Sequence, residues 1–107
     1  MQNKITKNGD GNLVLTAKSH IVGDFGYATS NYGEHEFTME LFLHDGSTEK
    51  DGGGAIEWDV PTLGETVQIG LWWEGGVLQG YDGVFELPQE AIELLEFYGL
   101  DCTEFKD

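Results

Sequence analysis

Hydrophobic and polar residues alternate in several short segments of the chain, and glycines separate these segments. The clearest segment is 36–44, in which hydrophobic Phe37, Met39, Leu41 and Leu43 alternate with Glu36, Thr38, Glu40, Phe42 and His44. In residues 55–60, Ile56, Trp58 and Val60 alternate with Ala55, Glu57 and Asp59. A period of two residues is typical of a strand with one buried face, so both segments predict half-buried β-strands.

Turn-forming residues connect further predicted strands into hairpins. The cluster Asn-Gly-Asp-Gly-Asn lies between segments 2–7 and 13–18 and predicts a first hairpin. Segments 66–73, 77–81 and 84–87 are joined by Glu-Gly-Gly and by Asp82-Gly83. Because Asp-Gly between apolar runs is a hairpin signal, we expect three more antiparallel strands here.

Two stretches predict loops. Residues 19–35 mix glycine with polar and aromatic residues, so we expect a loop with at most a short strand at 25–29. Residues 45–54 read Asp-Gly-Ser-Thr-Glu-Lys-Asp-Gly-Gly-Gly. This composition predicts the most flexible loop of the chain.

One helix is predicted, over residues 88–98. Pro88 suits the first helical position, and Glu90 is favourable near the positive end of the helix dipole. The hydrophobic residues Ala91, Ile92, Leu95 and Tyr98 share one face of this helix. Gly99 fits a left-handed cap that Leu100 can close.

Together these elements predict an α+β fold. We expect an antiparallel β-sheet meander of about five to seven strands, with one C-terminal α-helix packed on one face. The other face of the sheet is then partly solvated. The length of 107 residues and the lack of a clear linker or internal repeat predict a single domain over 1–107.

Charge is the most unusual property of the sequence. The chain has 20 Asp and Glu, 5 Lys and no Arg, which gives a formal net charge of −15. Nineteen of the acids follow residue 18. Crowded carboxylates repel one another and destabilise the compact state, and solubility needs a net charge of only roughly 2–8. The excess therefore calls for a functional explanation.

This charge excludes several classes of partner. Arginine is the usual clamp for phosphate, so we expect no direct binding to nucleic acid and none to anionic membranes. The expected partner is a basic protein, in particular a nuclease or another nucleic-acid-binding enzyme. Cys102 is the only cysteine and the N-terminus is polar, which together indicate a cytoplasmic protein.

The motifs tested for chemistry do not support catalysis. The glycine clusters lack the Lys-Ser/Thr pair of a phosphate-binding loop, and no nucleophile elbow is present. Asp45, Ser47, Glu49 and Asp51 alternate as in a calcium loop, but the sixth and twelfth positions would be Lys50 and Ile56. The histidines His20, His35 and His44 show no ligand spacing for a transition metal. We therefore expect no enzyme activity, no cofactor and no metal, although the 45–51 loop could hold a cation weakly.

The adjacent pair Trp72 and Trp73 allows two interpretations. Neighbouring residues of a strand point to opposite faces, so one ring enters the core and the other faces outward. A loop covering the outer ring is the commoner arrangement. An exposed ring within an acidic rim would instead be an anchor for a protein partner.

The acids on the predicted solvated surfaces supply the candidate site. With the outer tryptophan, the expected partner-binding residues are Glu36, Glu40, Glu57, Asp59, Trp72, Glu74, Asp82, Glu86, Glu93 and Glu96. Such a surface presents fixed anions as a nucleic acid backbone does. In size, charge and lack of a catalytic motif the chain is similar to small acidic inhibitors: immunity proteins that neutralise nuclease toxins, and phage anti-defence proteins that mimic DNA.

Three hypotheses follow from the sequence. The first is an inhibitor or nucleic-acid-mimicking decoy of a basic nucleic-acid-processing enzyme. The second is a generic acidic domain whose charge is an adaptation to the solvent, and the third is a small calcium-binding or ligand-binding protein or enzyme. Stabilisation by molar salt would favour the second, and saturable calcium binding would favour the third.

Overall fold

Six strands form one antiparallel sheet in which each strand pairs with its neighbour in sequence. The computed structural model describes residues 4–24, 29–43, 45–60, 64–83 and 85–105. The strands are β1 (Lys4–Lys7), β2 (Leu13–Asp24), β3 (Thr29–Phe42), β4 (Gly52–Val60), β5 (Glu65–Glu74) and β6 (Val77–Asp82). They are followed by a helix, α1 (Gln89–Phe97), and a 3-10 turn at Thr103–Phe105. The α+β meander predicted from the sequence is confirmed.

The hydrophobic core lies between α1 and one face of the sheet. Strand residues of the core include Leu15, Phe37, Met39, Ile56, Trp58, Ile69, Leu71 and Trp73. The helix contributes Ala91, Ile92, Leu94 and Leu95, which are all buried. Burying one such large side chain stabilises the fold by about 1.5–3 kcal/mol, so this layer fixes which face of the sheet is covered.

The ends of α1 follow from its flanking residues. Pro88 is the N-cap and not the first helical residue, and its carbonyl accepts hydrogen bonds from the amides of Ala91 and Ile92. At the other end Gly99 has φ +101, in the left-handed region. Its amide donates to the Glu96 carbonyl, and the Leu100 amide donates to the Leu95 carbonyl. These two bonds form a Schellman cap, and the left-handed cap predicted at Gly99 is confirmed.

The hairpin of β2 and β3 is longer than predicted. The expected loop over 19–35 is wrong, because β2 continues to Asp24 and β3 begins at Thr29. The expected short strand at 25–29 falls mostly on 25–28, which lie outside the described residues. Polar pairs such as His20 and Glu34 fill this part of the ladder, and a register shift after Ile21 interrupts it. Both features hide the alternation that marks a strand.

Strand β4 begins inside the triple-glycine segment, so the predicted loop over 45–54 is wrong for its last three residues. Gly52 lies beside the Trp73 ring, where an added Cβ would be 2.6 Å from Cζ2. A Cβ on Gly54 would be 2.5 Å from the backbone oxygen of Glu40. Close packing against neighbouring strands therefore requires these glycines, which the composition alone suggested were a linker.

The preceding turn, residues 45–51, is attached to the end of the helix. Thr48 is buried, and its hydroxyl donates a hydrogen bond to the Tyr98 carbonyl. Tyr98 is the C-cap residue of α1, and its carbonyl is one of the groups that have no intrahelical partner at a helix end. The contact joins the β3–β4 turn to the C-terminus of α1.

Replacing Thr48 by valine is expected to lower the free energy of unfolding by about 1–3 kcal/mol. The substitution keeps the shape but leaves the Tyr98 carbonyl without its hydroxyl partner in a partly buried position. Urea denaturation measures the change. Thr38→Val is the control, since Thr38 is exposed in the middle of β3, and it should change stability little.

The segment after β6 does not form the predicted third hairpin strand. Val84 lies outside the described residues, and Phe85 forms an isolated antiparallel bridge with Gly23 at the far end of β2. The Phe85 ring packs edge-on against Trp58, with centroids 5.2 Å apart. Because this ring is buried against Trp58, the chain after β6 runs to the end of β2 and does not return along β6. Asp82-Gly83 is therefore not a hairpin turn.

The C-terminal segment pairs with the outer edge of β6 at the start of the strand, where Val77 and Asp101 form an isolated parallel bridge. The Leu78 amide donates to the Asp101 carbonyl, and the Asp101 amide donates to the Gly76 carbonyl, both at 2.9 Å. Cys102 packs in the core here. Among the described residues, no helix has the length and apolar character that a transmembrane span requires.

Candidate functional site

The face of the sheet turned away from α1 is exposed, and we call it the open face. Its side chains come from the alternate strand residues that do not enter the core. The carboxylates on it are Glu34, Glu36, Glu40, Glu57, Asp59, Glu74 and Asp82. Lys18, which lies opposite Glu36, is the one lysine whose side chain the structure describes on this face. Apart from Lys18, the charged side chains that the structure describes on the open face are therefore all carboxylates.

The structure brings together most, but not all, of the predicted partner-binding residues. Glu36, Glu40, Glu57, Asp59, Trp72, Glu74 and Asp82 share the open face. Glu93 and Glu96 lie on α1, beyond the core on the opposite side of the sheet. Glu86 lines a separate cleft of about 340 Å³ beside the end of β2. The ten residues therefore do not form one surface, because the helix and the open face point in opposite directions.

Three of these acids converge where β3 and β4 separate. Among the described residue pairs, the β3–β4 ladder ends at Thr38 and Glu57. Beyond it, Glu36, Glu57 and Asp59 line a shallow depression of about 160 Å³. Asp59 also accepts a hydrogen bond of 2.7 Å from the Thr66 hydroxyl. This depression concentrates negative charge at a gap in the sheet.

Glu40 has a structural contact that sets it apart from the other acids. Its Oε2 accepts hydrogen bonds from the side-chain amides of Asn8 and Asn12, both at 2.8 Å. The Asn8 side-chain oxygen in turn accepts from the backbone amides of Asp10 and Asn12. Glu40 therefore holds the β1–β2 turn against β3, in addition to contributing charge to the open face.

This difference predicts opposite effects for two substitutions on the open face. Glu40→Ala should lower the free energy of unfolding by about 1–3 kcal/mol, because two asparagine amides lose their shared acceptor. Glu57→Ala should leave stability unchanged or raise it slightly, because Glu57 is exposed among like charges. Thermal and urea unfolding of both variants at low salt measure the contrast. Equal effects would contradict the structural role of Glu40.

The tryptophan pair is divided as strand alternation requires. Trp73 is in the core with 2% of its surface exposed, whereas Trp72 is 47% exposed on the open face. Trp72 is therefore not covered by a loop, although cover is the commoner arrangement. A Cβ on Gly80 would lie 3.0 Å from Trp72 Cζ2, so the indole rests against β6.

Two surface residues were absent from the predicted site. Phe42 is 41% exposed on the open face, and Gly53 lies between it and Trp72 in the sheet register. Glu34 extends the acidic array along β3. The alternation of 36–44 already contains the signal for Phe42, because this aromatic residue occupies a position of the polar series. The sequence does not mark Glu34, because the composition of 19–35 predicts a loop there.

Polar side chains of the turn at 45–51 accept hydrogen bonds from backbone amides, two of which belong to this turn and one to the β5–β6 turn. Asp45 accepts from the Ser47 amide, Ser47 accepts from the Glu49 amide, and Asp51 accepts from the Gly75 amide. In the described part of the chain, no three His, Cys, Asp or Glu side chains are placed to share a metal ion. His44 lies outside the described residues.

Comparison of the chain with protein-family models, curated proteins and solved structures gives no match. The open face is therefore the feature from which function is inferred. It combines carboxylates held on paired strands with two exposed aromatic rings.

Proposed function

We propose that this protein is a non-enzymatic inhibitor that binds the basic nucleic-acid site of a nucleic-acid-processing enzyme and occludes it. The observation that carries the proposal is the charge of the open face, where Lys18 is the single lysine with a described side chain among carboxylates of four strands. A surface of this kind complements a groove lined by Lys and Arg. The proposed setting is the cytoplasm, and the proposed class is the immunity or anti-defence inhibitors.

The spacing of the carboxylates supports mimicry of a nucleic acid. Glu57 and Asp59 are two residues apart on β4, which places their α-carbons about 7 Å apart on one face. On β3, Glu40 lies diagonal to Glu57, whose direct partner is Thr38, with about 7–8 Å between the α-carbons of the two acids. The result is a dense, fixed array of anions, which a groove adapted to phosphates would accept.

The framework beneath the array also supports a role in binding. Glu57 and Asp59 belong to β4, which is paired over its whole length with β5. Backbone that is already ordered loses little conformational entropy when a partner binds, so more of the interaction energy appears as affinity. Binding to a partner of opposite charge would also explain why the chain retains an array whose carboxylates repel one another, because the partner's charges relieve that repulsion.

Affinity capture with matched variants tests the proposal. The open-face variant carries Glu36→Gln, Glu57→Gln and Asp59→Asn. The control variant carries Glu49→Gln, Glu93→Gln and Glu104→Gln, three exposed acids outside the open face. Both variants change the net charge equally, so a difference between them reports position and not total charge. Captured proteins are identified, and their release is followed with increasing salt.

The expected result is a basic nucleic-acid-binding protein that the wild type and the control variant retain and the open-face variant loses. The fraction of this protein that is released should increase steeply with salt concentration, because salt screens the attraction between the open-face carboxylates and the partner's basic groups. Equal capture by the two variants, or binding insensitive to salt, would contradict the proposal. A large rise of melting temperature in molar salt, with no basic partner, would favour solvent adaptation instead.

A further inference from the structure

Trp72 lies on the open face with one side of its ring against the neighbouring strand. A Cβ built on Gly80 would lie 3.0, 3.4 and 3.5 Å from Cζ2, Cη2 and Cε2 of the indole. These three distances are similar, as they are for a carbon above the ring face and not for one at the ring edge. Because Gly80 has no side chain, the indole can lie over the backbone of β6.

The other side of this ring is available to a partner. Trp72 remains 47% exposed even though Gly80 covers one side. On the Phe42 side, Gly53 separates the two aromatic residues and has no side chain to fill the space. The α-carbons of Phe42 and Trp72 are about 10 Å apart, twice the spacing of neighbouring strands. The indole thus forms a flat platform with open space above and beside it.

Carboxylates flank this platform. Glu74 is two residues further along β5, and Asp82 is two residues beyond Gly80 on β6, on the same face and diagonal to Trp72. Both are exposed. Residues in these positions lie about 7–8 Å from Trp72 between α-carbons, within reach of a long side chain stacked on the indole. The face of the ring is therefore apolar, and carboxylates lie on either side of it.

We propose that Trp72 is the stacking site for an arginine of the partner, and that the carboxylates of Glu74 and Asp82, one on each side of the ring along the strands, attract its positive charge. The inference rests on the proposed function, and it names the partner's side chain. A guanidinium is planar and weakly hydrated, stacks on aromatic faces and is attracted by nearby carboxylates. A lysine ammonium can satisfy the charge but cannot stack as a plane. An anionic nucleobase-bearing strand would be repelled by the flanking acids.

The test uses two synthetic peptides of equal length and charge, one of alternating arginine and glycine and one of alternating lysine and glycine. Binding to the full chain is measured by calorimetry at low salt. The proteins compared are the wild type, Trp72→Leu and Phe97→Leu. Phe97 is a matched control because it is 76% exposed and lies on α1, away from the open face. Thermal unfolding confirms that each variant is folded.

The arginine peptide should bind the wild type about two- to fivefold more tightly than the lysine peptide. Trp72→Leu should remove this preference while it retains the charge-dependent binding of both peptides. Phe97→Leu should keep the preference. If Trp72 had only a structural role, Trp72→Leu would weaken the binding of both peptides equally and would leave the arginine preference in place.

Fluorescence provides a second readout of the same contact. The chain has three tryptophans, and Trp58 and Trp73 are 3% and 2% exposed. Trp72 is therefore the ring that acrylamide can quench readily. Saturating arginine peptide should protect it from acrylamide, and the lysine peptide should protect it less.

The outcomes separate this inference from the proposed function. Equal affinities of the two peptides for the wild type would overturn arginine stacking and leave the proposed inhibitor intact. Tight binding of the arginine peptide without protection of Trp72 would also overturn stacking, because the contact would lie elsewhere. Failure of both peptides to bind more tightly than a neutral glycine-serine peptide would overturn both proposals.

Discussion

Gly54→Ala is expected to destabilise the protein by about 3 kcal/mol, whereas Gly70→Ala should leave stability nearly unchanged. Both glycines lie within strands, and they occupy neighbouring strands of the sheet. A Cβ on Gly54 would lie 2.5 Å from the Glu40 carbonyl oxygen and 3.2 Å from Cδ2 of Leu41. The oxygen belongs to the backbone of β3, so relief of the clash requires that paired strands move apart.

Gly70 provides the matched control, because a Cβ there would meet no atom within 4 Å. At such a position, alanine reduces the entropy of the unfolded chain and can even stabilise the protein slightly. Urea denaturation of the two variants measures the difference in unfolding free energy. Similar midpoints for both would show that 52–54 is a loop, as its composition suggests, and not the start of β4.

The open-face variant is expected to weaken binding to the captured partner by about 100-fold at low salt. Each of its three substitutions removes a carboxylate from the depression between β3 and β4. A loss of about 1 kcal/mol for each charge pair amounts to roughly two powers of ten in affinity. The control variant should weaken binding less than tenfold, since it changes only the long-range field, which salt screens.

The open-face variant should also have a higher melting temperature than the wild type at low salt. Glu36, Glu57 and Asp59 are exposed like charges around one depression, and their repulsion opposes folding. The difference in melting temperature should shrink as salt is added. Lower stability together with lost binding would instead indicate that the substitutions damage the fold, and the binding result would not then support the open face.

The sequence predicts the regular elements because their patterns are local. Period-two alternation places the strands at 36–44 and 55–60, and Gly99 with Leu100 marks the end of the helix. The errors arise where distant contacts decide the structure. Gly54 belongs to a strand because β3 approaches it closely, and Phe85 leaves the hairpin path because Trp58 and Tyr32 bury its ring.

The candidate site was predictable to a similar extent. Alternation indicates which acids of a strand face outward, and it separates Trp72 from Trp73. It cannot show that Glu40 accepts hydrogen bonds from Asn8 and Asn12, which lie in a turn about thirty positions earlier. It also cannot show that the α1 acids and the open face point in opposite directions, since that depends on which side of the sheet the helix packs.

Competition between this chain and nucleic acid for the captured partner tests the central claim most directly. The partner is saturated with a fluorescent oligonucleotide that it binds, and this protein or the open-face variant is added. If the open face occupies the nucleic-acid site, the wild type should displace the oligonucleotide completely, and the open-face variant should need about 100-fold higher concentration. A ternary complex, in which the oligonucleotide stays bound while the wild type binds, would contradict the account.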